Sequence, residues 1–147
     1  MNMSGDIRVR TDRKYKTLYK EMSNCAVREA HELFFICACL GFRHGKRKPL
    51  QKQGEDRFWS STITPEEYAS YYSIIVESEE MNYSAVLDDK EVISKIEEYA
   101  NAGMGILLEE ILADYTIESG NEFRLDRSCS DELPKVLLAY LFNTAGE

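Results

Sequence analysis

Few side chains in this 147-residue chain are able to do chemistry: two histidines, four cysteines and several paired glutamates. His31-Glu32 opens an apolar helical stretch, but no second His follows to complete an H-E-x-x-H zinc site. A lone helical His reads first as a packed or surface residue. Cys25, Arg28 and His31 recur at i, i+3 and i+6. Cations near a thiol lower its pKa, yet this spacing is common and unspecific. Cys37 and Cys39 stand two apart in an apolar run, so a helix turns them to different faces. Zinc knuckles with C-x₂₋₄-C spacing are missing. Buried free thiols in a reducing compartment are the expectation for all four, Cys129 included.

Glu77, Glu79 and Glu80, then Glu97-Glu98 and Glu109-Glu110, imitate a metal site in composition. Neighbours on a helix diverge by about 100°, so each set reads as a solvated face. Neither G-x-x-x-x-G-K-[ST] nor G-x-S-x-G occurs. The expectation is a protein with no catalytic residue, no metal and no cofactor. A small nuclease built on Glu109 and Glu110 is the outlying alternative.

The densest chemical feature is positive. "GFRHGKRKPL", Gly41 to Leu50, places Arg43, His44, Lys46, Arg47 and Lys48 directly after the apolar "ELFFICACL". Part of this loop has a plain structural reading, because cations are stabilising near the negative end of a helix dipole. The charge of the chain as a whole makes it stand out. The net charge is −8, but residues 1–50 balance to +6 and residues 51–147 to −14. Such asymmetry hints at an anionic partner for the basic half. The acidic half would repel nucleic acid; it suits a basic protein surface, or simply solubility.

The elements that must carry these residues are mostly helical. "DIRVRTD" alternates, with Ile7 and Val9 on one side and Arg8 and Arg10 on the other, as a short strand with one wet face. Asp12 is placed to cap a helix to Met22, whose Tyr15, Leu18, Tyr19 and Met22 share a face. A second helix, Ala26 to Leu40, becomes apolar all round and reads as the central one, with Gly41 as the residue just past its end. "QKQGEDRFWSSTITPEEY" is the longest stretch without periodicity. Thr64-Pro65-Glu66-Glu67 announces a third helix, and Asp88 or Asp89 a fourth. "NAGMG" at 101–105 is expected to interrupt or kink that fourth helix, because each Gly costs about 1 kcal/mol relative to Ala. "ESGNEFRLD" reads as a turn with a short extended piece, and Ser130 to Phe142 as the last helix. The fold class is mainly α: a compact helical domain of five to six helices with a short N-terminal strand. One domain, 1–147, is expected, basic over 1–50 and acidic over 51–147.

Strand, capped helix, polar turn and longer apolar helix is also the order of a ribbon–helix–helix, in which two protomers pair their strands and the ribbon enters the DNA major groove. A homodimer would follow. Arg8 and Arg10 would then face base edges. Arg13, Lys14 and the loop cations Arg43, Lys46, Arg47 and Lys48 would meet phosphates. A peripheral segment with solvated Arg and Lys is the plainer reading and takes precedence, with non-specific nucleic-acid contact between the two. No apolar run approaches the roughly 20 residues of a membrane span, and the start lacks a signal peptide's apolar core. The expected location is the cytoplasm.

"HELFFICACLGFRHGKRKPL" resembles the signature of Dnd system-associated protein 4, a family of small bacterial proteins linked to DNA phosphorothioation. The shared pattern is an apolar helix running into L-G-[FY]-x-x-G-[KR]-[KR]-x-P-L, carried here by Leu40, Gly41, Phe42, Gly45, Lys46, Arg47, Pro49 and Leu50. "RFWSS" and the preceding "KYKTLYKEM" agree in order, and the resemblance covers about the first 60 residues. It transfers no catalytic residue. What it implies is a context: a non-catalytic accessory of a prokaryotic DNA-modification and restriction defence against phage. Its partners would be double-stranded DNA, proteins of that complex, or both. A helical adaptor that never touches nucleic acid is the competing expectation.

Overall fold

Two helices in backbone contact form the centre of the molecule. The computed structural model describes residues 6–120, 122–126 and 131–145. In it α2 (Ala30–Arg43) and α4 (Asp89–Glu110) make the most extensive helix contact. They approach so closely because each offers a glycine to the other. A Cβ on Gly41 of α2 would overlap the Tyr99 carbonyl of α4, and a Cβ on Gly103 of α4 would overlap the Cys37 carbonyl of α2. Leu33, Phe34, Cys37 and Ala38 from α2 and Val92, Ile93, Ile96, Met104 and Leu107 from α4 are buried around this crossing. Each large side chain among them contributes about 1.5–3 kcal/mol by leaving water.

Gly41 therefore does not follow the helix; it lies inside it. The residue that takes the left-handed turn is Gly45, at φ +64°. Likewise "NAGMG" does not interrupt α4, which is helical through all 22 residues. The propensity cost of Gly103 is outweighed by the contact that its missing side chain allows.

The remaining elements surround this pair. β1 (Arg8–Thr11) leads through a 3-10 turn to α1 (Lys16–Ser23), and Tyr15, Leu18, Tyr19 and Met22 are buried as their spacing implies. Asp12 does not cap that helix. Its Oδ1 accepts the Gln51 N–H at 2.7 Å, tying the start of the chain to the segment after the basic loop. The stretch without periodicity contains β2 (Glu55–Trp59), antiparallel to β1. β1 thus finds its partner within the chain, not on a second protomer as a ribbon–helix–helix requires. On its other side the Arg10 N–H donates to Glu97 Oε2 of α4 at 2.8 Å.

α3 (Pro65–Ser78) starts as its sequence announces: Thr64 Oγ1 accepts from the Glu67 N–H, and the Glu67 carboxylate accepts from the Thr64 N–H. Asp88 caps α4 by accepting from the Lys90 N–H. A hairpin of β3 (Thr116–Ser119) and β4 (Glu122–Leu125) precedes α5 (Leu133–Ala145), which plants Leu133 and Leu137 in the same core. The molecule is mainly α, with five α-helices among the described residues. None of these helices is long and apolar enough to cross a membrane.

Candidate nucleic-acid interface

The β1–β2 ribbon carries its arginines outward because of one irregularity. Opposite residues share a face, and the pairs are Arg8 with Trp59, Val9 with Phe58, Arg10 with Asp56, and Thr11 with Glu55. The register shifts between Val9 and Arg10, which leaves Arg57 as the extra residue of a bulge. Val9 is fully buried, and Phe58 meets Phe34 edge-on at 5.2 Å. The opposite, outer face holds Arg8, Arg10, Asp56 and Trp59. Asp56 bridges both arginines, at 2.7 Å from Arg8 Nη1 and 3.2 Å from Arg10 Nε. The Arg8 hydrogen bond in particular holds the Asp56 carboxyl below its ordinary range. Arg57 is different: its side chain is 8% exposed, its Nε donates to Thr11 Oγ1 at 2.7 Å, and its guanidinium lies 5.6 Å from the Tyr19 ring centre. It is a structural arginine.

The basic loop is pinned across α4. The Lys46 N–H donates to Gly41 O at 2.8 Å and the Lys48 N–H to Glu98 O at 3.0 Å. Asn101 Nδ2 donates to the carbonyls of Lys48 and Pro49 at 3.1 and 3.2 Å. Tyr99 sits between Phe42, edge-on at 5.8 Å, and the Arg47 guanidinium, 5.4 Å over its ring. Arg47 is also bound to Glu98 at 3.0 Å. His44 Nδ1 lies 2.9 Å from the Leu40 carbonyl, closing the end of α2. Lys46 and Lys48 project from this scaffold, exposed.

The loop and the ribbon meet. Gly54, at φ +73°, lies where a Cβ would press on Leu50, the Thr11 carbonyl and the Arg10 Cβ. Adjacent residues of α4 hold the two parts: Glu97 takes the Arg10 N–H and Glu98 takes Arg47. Burial pushes the Glu97 carboxyl up to about 7, against the Arg10 hydrogen bond and charge, which lower it. Arg13, 3.7 Å from Glu55, and Lys14, 5.3 Å over the Tyr15 ring, continue the surface into a cleft that Lys52, Glu118 and Glu122 also line. Arg43 stands apart, in a depression between α2 and α3 with Cys39, Ser70 and Ile74. Of the eight cations singled out in the sequence, seven line the ribbon, the loop and the adjoining cleft. Four of these, Arg8, Arg10, Arg13 and Arg47, are already ion-paired within the chain.

Other candidates resolve differently. His31, 6% exposed, has Nδ1 at 2.9 and 3.1 Å from the Glu67 oxygens and Nε2 at 2.9 Å from Glu29 Oε2. Sequence reasoning passed over this pairing because Glu67 is 36 residues away and already committed to capping α3. Burial, and then the Glu21 charge, push the Cys25 thiol up, the opposite of an activated nucleophile. Burial raises Cys39 to about 11 and Cys37 further still. Cys25, Cys37 and Cys39 are free, while Cys129 lies outside the described residues. Glu110 accepts from the Tyr140 hydroxyl at 2.8 Å, fastening α5, and Glu79 pairs with Lys95 at 3.4 Å. At these two positions the glutamates tie neighbouring elements together at the surface.

No curated protein and no solved structure matches the chain. A family model does, over residues 8–122, from β1 to the start of β4, well beyond the first 60 residues that carry the motif. The chain belongs to the family DNA sulphur modification system-associated protein 4.

Proposed function

We propose that this protein is a non-catalytic accessory of a DNA sulphur-modification system that serves defence against phage in the bacterial cytoplasm and contacts duplex DNA through its basic face. The supporting observation is the convergence of β1 and the 46–52 segment on the Glu97-Glu98 step of α4, which gathers Arg8, Arg10, Lys46, Arg47, Lys48 and Lys52 from two distant stretches of chain. Lys46 and Lys48 are held by their backbones and exposed by their side chains, the arrangement that suits phosphate contacts without base readout. The internal carboxylates make the contact weak and salt-sensitive.

Fluorescence anisotropy with duplex DNA across a salt series tests the reading. Micromolar binding with a steep slope is expected, lost when Lys46, Lys48 and Lys52, the exposed lysines of that segment, are all changed to Ala. No binding at low salt would reject it. A protein-adaptor role has one observation in its favour: Leu138 and Phe142, one turn apart on α5, are 70% and 80% exposed. Co-purification with a protein of the modification system at high salt, lost on Phe142→Glu, would support that role instead.

A further inference from the structure

We infer that Trp59 is a stacking platform for an unpaired DNA base, so that the outer face of the β1–β2 ribbon takes single-stranded DNA; this rests on the nucleic-acid reading above and names its substrate more closely. The chain has a single Trp, and 43% of it is exposed. A regular strand would turn Trp59 to the face of Glu55 and Arg57. The bulge at Arg57 instead turns it to the face of Arg8, Arg10 and Asp56. A large apolar ring is thereby left part-exposed among cations, an arrangement that aromatic residues adopt where a partner covers them.

The chemistry around the ring narrows the partner. The Arg8 guanidinium lies over the ring at 4.4 Å, so indole and guanidinium are already in cation–π contact. Nucleobases suit such a pair, since they stack on both aromatic rings and guanidinium planes. The flanking phosphate has a place as well. Asp56 accepts from both Arg8 and Arg10, and a phosphate offers the same pair of oxygens to the same two donors. Asp56 thus holds the arginines in position until a phosphate replaces it. Paired bases are already stacked on their neighbours, so duplex DNA uses the cations but not the ring.

Because Trp59 is the sole tryptophan, its fluorescence reports on this site alone. The full chain is titrated with single-stranded oligothymidylate and, separately, with a duplex of equal length, while anisotropy follows binding. Expected are quenching of Trp emission by the single strand, and a loss of about tenfold in single-strand affinity for Trp59→Ala with duplex affinity within about twofold. Trp59→Phe recovers part of the loss, and Asp56→Asn tightens single-strand binding severalfold. Unchanged emission at saturating single strand, or unchanged affinity in Trp59→Ala, overturns the inference while duplex binding stands. Absence of binding to either DNA overturns the broader reading with it, as does a Trp59 response confined to a protein partner. Circular dichroism of Trp59→Ala checks the fold; if that variant fails to fold, Trp59→Phe and the wild-type emission still decide.

Discussion

Gly103 of α4 lies directly on the carbonyl of Cys37 in α2, with no room for a Cβ between them. Gly41 repeats the contact one turn along, against the carbonyl of Tyr99. Both contacts are made to backbone, which cannot rotate aside as a side chain can. Gly103→Ala must therefore push the helices apart and loosen the core around Phe34, Ile96 and Met104. A loss of about 3 kcal/mol is expected in urea unfolding, the upper range of overpacking. Gly105, two residues on in the same helix, has open space where its Cβ would be. Gly105→Ala is expected to gain up to about 1 kcal/mol from helix propensity. Equal effects at the two positions would contradict close packing as the role of Gly103.

That pair also shows where local reading of the chain stops. The amphipathic spacing of Tyr15, Leu18, Tyr19 and Met22, and the Thr64-Pro65 start of α3, are local signals, and the structure follows them. Gly41 and Gly103 carry the same local signal, a helix breaker, but their meaning depends on a partner helix some 60 residues away. β2 was illegible for a related reason: its alternation is broken by the bulge at Arg57, so no period of two survives. The cations of the interface were visible as types. Their convergence was not, because it depends on Asp12 holding Gln51 and on Glu98 holding Arg47.

Glu97 makes stability depend on pH in a defined direction. Its folded carboxyl is raised from 4.5 to about 7, chiefly by burial. Below about pH 4.5 it is protonated in both folded and unfolded chains, and the stability from the neutral group is fully present. As pH rises through about 7 the folded protein must ionise a buried acid, and that stability is lost. Glu97→Gln stays neutral and still accepts the Arg10 N–H. It should match the wild type at pH 4.5 and exceed it at pH 8 by about 1–2 kcal/mol, discounted for partial exposure. Thermal melts across that range check this; a gap that narrows toward alkaline pH would refute it.

His31 and Glu67 join the starts of α2 and α3. Removing the ring leaves Glu67 nearly buried, with the Thr64 N–H as its remaining hydrogen-bond donor among the described residues, beside the depression lined by Phe35. His31→Ala is expected to cost about 2–3 kcal/mol. Glu67→Gln made on top of it should cost less than in the wild type, with a coupling of at least about 1 kcal/mol in a double-mutant cycle. Simple additivity would mean that the pair contributes nothing beyond packing.

The cations of the basic loop divide into two kinds with separable signatures. Lys46 and Lys48 are exposed and their backbones do the anchoring, so the double change to Ala leaves the anchors intact. Its Tm should stay within about 1 °C, while the slope of log affinity for duplex DNA against log salt becomes shallower by about 1.8, close to 0.9 per phosphate contact. Arg47 is stacked over Tyr99 and bound to Glu98 on the same helix. Arg47→Ala should cost about 1 kcal/mol of stability and change the salt slope little, because its charge is already engaged. Calorimetry and anisotropy on the same two variants distinguish the kinds. If Lys46 and Lys48 left the slope unchanged while Arg47 moved it, the DNA would be displacing Glu98, and the anchoring of the loop would be part of binding.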